Sequence, residues 1–259
     1  IVAITGKKPI FEKLDLREKS LVQDFFRRYQ DINGVIHFAA SKAVGESVEN
    51  PLLYYENNIN SLVYLLQELQ KKPEAHFIFS SSCTVYGQAE KMPITEDASV
   101  QPAISPYGNT KQIGEEIIRD TISAAPANYN SIILRYFNPI GAHASAEIGE
   151  LPNGVPNNLI PFVTQTAIGI RKQLQVFGDD YDTPDGSCIR DYIHVSDIAK
   201  AHIVAMERLQ QNKTKTNCEV FNLGTGNGFS VMEVIKSFEK VSGLKLNYKF
   251  VDRKSTRLN

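Results

Sequence analysis

The chain has 259 residues, of which 42% are hydrophobic and 22% are charged, and its formal net charge is −1. This length and composition predict a soluble globular protein with a substantial core, and they favour neither nucleic-acid binding nor membrane association, because no apolar run approaches the roughly 18 residues of a membrane span. The three cysteines Cys83, Cys188 and Cys218 lie far apart, so they indicate a reducing cytoplasm rather than a disulfide framework or a zinc site.

The first forty residues alternate between helical and extended patterns. IVAITGKK is typical of the end of a helix followed by a turn, and PIFEKLDL predicts a strand from about Ile10 to Leu16. A helical pattern runs from Arg17 to about Gln30. The apolar run GVIHFAA then predicts a strand that is buried on both faces.

The next helix is predicted by its start signal. Asn50 is followed by Pro51, an order typical of a helix N-terminus, and the helical pattern continues for about twenty residues. Asn57, Asn58 and Asn60 are poor helix formers in this apolar segment. At least one of them should therefore satisfy a buried polar group.

The most informative stretch runs from Phe77 to Lys111. FIFSSSCTVYG predicts a buried parallel strand whose carboxyl end opens into a site. Ser105 can cap the following helix, which continues to about Ile122, and Tyr107 and Lys111 share one of its faces. A strand-end serine can then face a tyrosine and a lysine.

Such a trio has a chemical use. A tyrosine that acts as a base near neutrality needs its pKa lowered by about three units, and a lysine about 4 Å away supplies roughly 4 kcal/mol, which is enough. The serine hydroxyl can hold the substrate oxygen while the proton moves. A surface Tyr–Lys pair is the plainer interpretation of the spacing alone, but the serine motif upstream favours the catalytic one.

The remaining elements follow an alternating order. SIILRYFN predicts a strand, so strands and helices alternate as in a parallel doubly wound sheet. From Pro139 a long irregular segment precedes a short helix and the strand QLQVFG. The alternating pattern then returns with CIRDYIHV, a helix from Ser196 to about Leu209, and EVFNLG. The last two predicted elements are the helix SVMEVIKSFEKVSG and the strand KLNYKFV. The NLGTGNG turn imitates a dinucleotide fingerprint with the wrong spacing, and the acidic DDYDTPDG loop lacks the spacing of calcium ligands.

Several of these segments together resemble one family. FSSSCTVYG and SPYGNTK resemble the extended short-chain dehydrogenase/reductases, and HFAASKAVGES, RYFNPIGAH, VFGDDYDTPDG and IRDYIHVSD narrow the resemblance to the UDP-glucose 4-epimerases. The resemblance extends from about Phe11 to Asp252. It implies a Rossmann-type NAD-binding domain over residues 1–137 and 191–224, and a smaller α+β nucleotide-sugar region over residues 138–190 and 225–259.

The resemblance also implies a reaction. In this family the tyrosine, here Tyr107, takes the proton of the sugar 4-hydroxyl as a phenolate while C4 gives hydride to tightly held NAD; the 4-keto sugar then rotates and is reduced on its other face. UDP-glucose and UDP-galactose are thereby interconverted. Ser82 would order the proton path, and Lys111 would bind the nicotinamide ribose and lower the Tyr107 pKa.

Residue by residue, the resemblance assigns two binding sets and a homodimer, with no metal, nucleic acid or membrane partner. The cofactor set is Asp15, Leu16, Phe38, Ala39, Ala40, Ser41, Lys42, Asn57, Ser82, Tyr107, Lys111 and Phe137. The substrate set is Lys42, Ser82, Tyr107, Asn138, Asn158, Leu159, Phe177 and Arg190. Arg190 is the most specific physically, because a guanidinium suits a diphosphate.

The ends of the chain depart from the family pattern. A G-x-x-G-x-x-G turn and its strands are expected before Ile10, and the tail RKSTRLN looks foreign to the family. We therefore expect a fragment that lacks its first βαβ portion, binds NAD weakly or not at all, has no activity alone and tends to aggregate.

Two rival interpretations remain. One is another nucleotide-sugar epimerase, dehydratase or decarboxylase; related dehydratases have an Asp-Glu pair where this chain has Cys83 and Thr84, so elimination would lack its acid and base. The other is a non-catalytic fragment that keeps the fold. A complete coding sequence would separate them.

Overall fold

The structure is a computed structural model that describes residues 1–89, 91–125, 129–152 and 154–252. The helices are α1 Val2–Thr5, α2 Lys19–Arg28, α3 Val44–Glu49, α4 Pro51–Leu69, α5 Pro106–Ala124, α6 Leu159–Ala167, α7 Val195–Gln210 and α8 Val231–Ser242, with a short 3-10 helix Cys83–Tyr86. The strands are β1 Gly34–His37, β2 Ala75–Ser82, β3 Tyr129–Tyr136, β4 Asn138–Ile140, β5 Leu174–Phe177, β6 Ile189–His194, β7 Cys218–Leu223, β8 Gly228–Ser230 and β9 Tyr248–Val251.

The chain divides into two compact units. Unit 1 comprises Ile1–Tyr136 and Ala199–Leu223, and unit 2 comprises Phe137–Ile198 and Gly224–Asn259. Residues 191–198, which the sequence placed with the nucleotide-binding domain, fall in unit 2. The tail RKSTRLN lies outside the described residues.

Unit 1 is built on a parallel sheet with the order β1-β2-β3-β7. Helices cover both faces of this sheet, as in a doubly wound fold. Residues of α2, α4 and α5 pack on one face around Phe77, Phe79 and Ile133. Residues of α7, including Ala205, pack on the other face against Ile78 and its neighbours in β3. The predicted doubly wound parallel sheet is confirmed.

The burial of β2 on both faces follows from this arrangement. All eight of its residues are buried, because its alternate side chains enter the two separate cores. The helix after it also begins as predicted: the Ser105 hydroxyl accepts a hydrogen bond from Gly108 N at 3.1 Å, and Pro106 occupies the first turn. The carboxyl end of β2 and the start of α5 are thus both well defined.

Two predictions for the N-terminal part are wrong. Residues 7–15 form no strand: Leu14 and Leu16 pack against the core of unit 1, but Ile10 and Phe11 are 81% and 83% exposed. A strand needs hydrogen bonds to a neighbour, and in the described part of the chain β1 pairs with β2 alone. Strand β1 is also not buried on both faces: His37 is buried, whereas Ile36 is 38% exposed.

The asparagine-containing helix is confirmed as α4. Asn50 occupies its N-cap position and Pro51 its first turn, although the Asn50 side chain makes no capping hydrogen bond. Asn58 satisfies buried polar groups as expected: its Oδ1 accepts from Ser41 N at 2.7 Å, and its Nδ2 donates to Ser41 O and to Thr110 Oγ1, each at 3.0 Å.

Unit 2 has an α+β organisation. Strands β4, β6 and β8 form a mixed three-stranded sheet, and β5 pairs with β9 in parallel. Helices α6 and α8 contribute to a second core around Val163, Leu174 and Ile235. Across the described residues of both units, no helix combines the length and the apolar character needed to cross a membrane.

Candidate active site

The structure brings Ser82, Tyr107 and Lys111 together in unit 1. Ser82 is the last residue of β2, and Tyr107 lies in the first turn of α5 with Lys111 one turn later. The Ser82 side chain lies close enough to Tyr107 to favour the phenolate form. The Lys111 ammonium nitrogen lies 5.9 Å from the centroid of the Tyr107 ring. A strand end and a helix start thus bring the three predicted catalytic residues into one compact cluster.

The protonation state of Tyr107 is governed by burial. Burial raises the pKa of Tyr107 above its ordinary value, and the hydrogen bond with Ser82 opposes this by favouring the phenolate. We expected Lys111 to lower this pKa by lying about 4 Å away. In this structure burial outweighs every lowering influence, so the Tyr107 pKa is raised and that expectation is corrected.

Lys111 is itself buried, with 6% of its surface exposed. Its Nζ donates to the Ser80 carbonyl oxygen at 2.7 Å and lies 4.9 Å from the centroid of the Phe79 ring. Burial lowers the pKa of Lys111 to about 8, and the charge of Glu115 partly restores it. The ammonium group is thus held against β2.

An open cleft of about 550 Å³ in unit 1 contains much of the predicted cofactor set. Its lining includes Asp15, Leu16, Ala39, Ala40 and Asn57. Apolar walls with a few polar groups are typical of cofactor sites, and the two alanines allow a ligand to approach the backbone closely. The residues present therefore fit a dinucleotide.

One polar group in this cleft has a partner of its own. The Asp15 carboxylate accepts from Arg17 Nε at 3.0 Å and from Arg17 Nη2 at 2.6 Å, and it also accepts from Arg17 N at 2.9 Å. This hydrogen bonding lowers the pKa of Asp15 to about 2. Asp15 is therefore a carboxylate at neutral pH and can accept hydrogen bonds from ligand hydroxyls.

The loop after β1 is fixed by α4. Asn57 Nδ2 donates to Ser41 Oγ at 2.8 Å, while Asn58 holds the Ser41 backbone on both sides. Lys42 follows in the same loop and is exposed. Phe38 is not among the cleft-lining residues; its ring is 58% exposed and lies 4.6 Å from that of His202.

The other predicted binding residues, Phe137 and most of the substrate set, belong to unit 2. Asn138 Nδ2 donates to Asp191 O at 3.0 Å, and Arg190 Nη1 donates to Ile189 O at 2.8 Å. Asn158 precedes α6 and donates to Glu150 Oε1 at 2.8 Å. Leu159 begins α6, and Phe177 ends β5.

The glycine-rich turn of unit 2 is occupied by a carboxylate of the protein itself. Both Asp191 carboxylate oxygens accept from Thr225 N at 2.9 Å, Oδ1 accepts from Thr225 Oγ1 at 2.8 Å, and Oδ2 accepts from Gly226 N at 2.9 Å. A phosphate would need these same donors. This agrees with the sequence analysis, in which the wrong glycine spacing of this turn gave no reason to assign it to cofactor binding. Among the described residues, no group of three or more His, Cys, Asp or Glu side chains could hold a metal ion.

Sequence reasoning missed three polar side chains that support the site. Tyr54 is fully buried; its hydroxyl donates to Glu46 Oε2 at 2.7 Å and accepts from Ala43 N at 3.0 Å. Glu115 and Arg135 form a buried ion pair with an Nη2–Oε2 distance of 2.6 Å. The signal for this pair was visible, since Arg135 interrupts an apolar strand and Glu115 lies four residues after Lys111.

Comparison with known proteins extends this picture. Residues 3–224 match the model of the NAD dependent epimerase/dehydratase family. Over 252 residues the chain is 49% identical to a UDP-glucose 4-epimerase of Haemophilus influenzae, covering 97% of this chain and 73% of that protein. It is 47% identical to the human UDP-glucose 4-epimerase, again covering 97% of this chain and 71% of the relative.

The fold is also similar to solved structures. A UDP-glucose 4-epimerase from Bifidobacterium longum in complex with NAD+ and UDP superposes with a TM-score of 0.90 at 45% identity, covering 97% of this chain and 73% of that one. An enzyme of the same name from Stenotrophomonas maltophila, with bound NAD and formylated UDP-arabinopyranose, gives a TM-score of 0.89 at 42% identity, with the same coverage of both chains.

Proposed function

Because the chain belongs to the NAD dependent epimerase/dehydratase family, we propose that it interconverts UDP-glucose and UDP-galactose. The reaction oxidises the sugar at C4, lets the 4-keto sugar rotate, and reduces it on the other face. The cofactor is NAD, which supplies the hydride acceptor and donor when it is bound. The high identity to UDP-glucose 4-epimerases over almost the whole chain supports this assignment.

The observation that carries the proposal is the meeting of Ser82, at the end of β2, with Tyr107 and Lys111, at the start of α5. Tyr107 exchanges a proton with the sugar 4-hydroxyl, and Ser82 orients that hydroxyl and stabilises the phenolate. Lys111, on the same face of α5 as Tyr107, would supply a positive charge and a hydrogen-bond donor for the ribose of the bound cofactor. Because burial keeps the Tyr107 phenol protonated in this structure, its hydrogen bond with Ser82 is the contact that favours ionisation.

The binding roles are proposals of the same kind. The cleft residues Asp15, Leu16, Ala39, Ala40 and Asn57 would hold the dinucleotide, together with Phe38, Ser41, Lys42 and Phe137. Asn138, Asn158, Leu159, Phe177 and Arg190 would hold the nucleotide sugar. The Arg190 guanidinium suits the diphosphate, because it can donate two parallel hydrogen bonds to phosphate oxygens.

We further propose a cytoplasmic homodimer. Within the described residues Cys83, Cys188 and Cys218 form no disulfide, which suits a reducing compartment. Leu52 and Leu53 of α4 are 81% and 39% exposed, and apolar side chains of this size are suited to a subunit contact. Sedimentation of the purified protein would measure the oligomeric state.

The role of Tyr107 is tested by Tyr107→Phe in protein expressed from the complete gene. UDP-galactose is supplied with NAD, and product formation is followed with a UDP-glucose dehydrogenase, which reduces added NAD as UDP-glucose appears. The substitution should lower kcat by on the order of 10² or more, since it removes the acid–base group. Tyr248→Phe is a matched control, because Tyr248 is 37% exposed in unit 2.

The two outcomes separate clearly. A large loss confined to Tyr107→Phe supports the assignment of Tyr107 as the acid–base group. Near-normal turnover in that variant would contradict the role of Tyr107. Absence of any product from the wild-type protein, with NAD and substrate bound, would contradict the epimerase activity itself.

A further inference from the structure

Helix α5 carries a third titratable residue in line with Tyr107 and Lys111. Tyr107, Lys111 and Glu115 follow one another at intervals of four residues, so their side chains form one stripe along the helix. The chemistry proposed above uses the first two. Glu115 has only 1% of its surface exposed, although a buried carboxylate is costly unless it is fully paired.

Both oxygens of Glu115 are saturated by donors. Oε1 accepts from Ser81 Oγ at 2.6 Å and from Arg135 Nε at 2.9 Å. Oε2 accepts from Arg135 Nη2 at 2.6 Å and from Arg119 Nη2 at 2.8 Å. The pairing with Arg135 is bidentate, a geometry that fixes orientation as well as distance.

These partners place the contact directly beside the catalytic cluster. Ser81 precedes Ser82 on β2, and Arg135 lies opposite Ser81 in the register of β2 and β3. On the helix, Glu115 lies four residues, or about 6 Å along the axis, beyond Lys111. One carboxylate therefore joins the helix that carries Tyr107 and Lys111 to the strand that carries Ser82.

The charge of Glu115 also acts on Lys111. Lys111 faces Tyr107 and Glu115 on α5 and His37 on β1, and Glu115 is itself paired with Arg135 on β3. His37 is neutral, because burial and the Lys111 charge lower its pKa to about 3. The Tyr107 pKa is raised, so the phenol is also neutral. Glu115 is thus the nearby negative charge that favours the ammonium form of Lys111.

We propose that Glu115 is a positioning residue for the reaction: it locks α5 onto β2 and β3 next to the catalytic edge, and its negative charge stabilises the Lys111 ammonium. This inference rests on the epimerase function proposed above. A core ion pair that only stabilises the fold is the alternative. The positioning role and the purely structural role predict different activities for a variant in which the Glu115–Arg135 pair is replaced and the protein still folds.

The test uses three variants in protein expressed from the complete gene. Glu115→Gln removes the charge and leaves Arg135 without its counter-ion, so this variant can lose stability. The double variant Glu115→Gln/Arg135→Met removes the pair together, a change that buried ion pairs often tolerate. Glu116→Gln is the matched control, since Glu116 is the next residue on the same helix and is exposed. Thermal melting establishes which variants are folded.

Two measurements then follow. One is the pH dependence of kcat and KM for UDP-galactose. The other is an NMR titration of the ε-carbon of isotope-labelled Lys111, which needs no activity. In the double variant we expect kcat to fall about 10-fold with KM changed less than about 3-fold, because the trio is misplaced. The Lys111 titration and the alkaline limit of kcat should both move to lower pH, by about one unit. Glu116→Gln should behave as wild type.

A folded double variant with wild-type kcat and an unchanged Lys111 titration would assign Glu115 a purely structural role, as would a double variant that does not fold. If the wild-type protein shows no epimerase activity, the epimerase proposal fails. The NMR titration would still decide the effect of Glu115 on Lys111, so the two failures can be told apart.

Discussion

Gly114 offers a sharp test of the packing that positions the catalytic helix. It is buried on α5 between Lys111 and Glu115. A Cβ atom added there would lie 2.7 Å from Phe79 Cζ and 3.2 Å from Leu62 Cδ2. Both distances are below ordinary van der Waals contact, so the substitution Gly114→Ala requires a side chain or the helix itself to move.

Two effects of opposite sign decide the outcome. Alanine is a better helix former than glycine by about 1 kcal/mol. Overpacking in a core typically costs about 1–3 kcal/mol. The Phe79 ring cannot retreat easily, because it is only 3% exposed and packs near the rings of His37 and Phe77, at centroid distances of 6.2 and 6.5 Å. We therefore expect overpacking to win, with a net loss of about 1 kcal/mol and a Tm lower by about 2–4 °C.

Gly108→Ala is the matched control on the same helix. Gly108 is also buried, but the atoms nearest to its added Cβ are Ser105 Oγ and Thr84 O, both at an ordinary 3.5 Å. This variant should be as stable as wild type or more stable, by up to about 1 kcal/mol. Urea unfolding of the three proteins measures the difference. A Gly114→Ala protein at least as stable as Gly108→Ala would refute the packing argument.

The remaining predictions concern one buried charge and one turn. Lys111→Met should inactivate the enzyme yet increase its stability at pH 7 by roughly 3 kcal/mol, since the wild-type pKa falls from 10.5 to about 8 on folding. Because Lys111 binds its proton less well in the folded state, its charge destabilises the fold below pH 8, and this effect is lost as the pH rises to 10.5. Urea unfolding at pH 7 and at about pH 10.5 should therefore show the stability advantage of Lys111→Met over wild type disappear. Asp191 also accepts a hydrogen bond from Asn138 of the predicted substrate set through its backbone oxygen. Asp191→Asn leaves one side-chain acceptor oxygen for the donors of Thr225 and Gly226, so KM for UDP-galactose should rise about 3- to 10-fold while kcat changes little. Steady-state kinetics checks this, and an unchanged KM would show that the turn does not organise the sugar site.

The regular elements could be predicted wherever the signal was local. Helix α5 follows from its Ser-Pro start and its helical periodicity, and the strand β2 follows from an apolar run of the right length. The doubly wound order follows from the alternation of such segments. The strand predicted from Ile10 to Leu16 failed because its extended pattern says nothing about whether a neighbouring strand is present to accept its hydrogen bonds.

Within the candidate site, the meeting of Ser82 with Tyr107 could also be predicted. Strand ends and helix starts lie at the same edge of a parallel sheet, so the two motifs had to converge there. The direction of the Lys111 side chain could not be predicted from the sequence, because it depends on contacts with the Ser80 carbonyl oxygen and the Phe79 ring. The raised Tyr107 pKa was missed for a related reason, since burial is a property of the assembled core.

The sequence by itself therefore determined most of the elements, their order and the family, and it predicted the trio Ser82, Tyr107 and Lys111. All of these rest on residues within a few turns of one another or on motifs. Only the tertiary structure decided which charges are buried and what they contact. Arg135 reaches Glu115 across 20 residues of chain, and Asp191 binds a turn more than 30 residues away. Hydrogen bonding and dielectric environment depend on such distant neighbours, which no local pattern encodes.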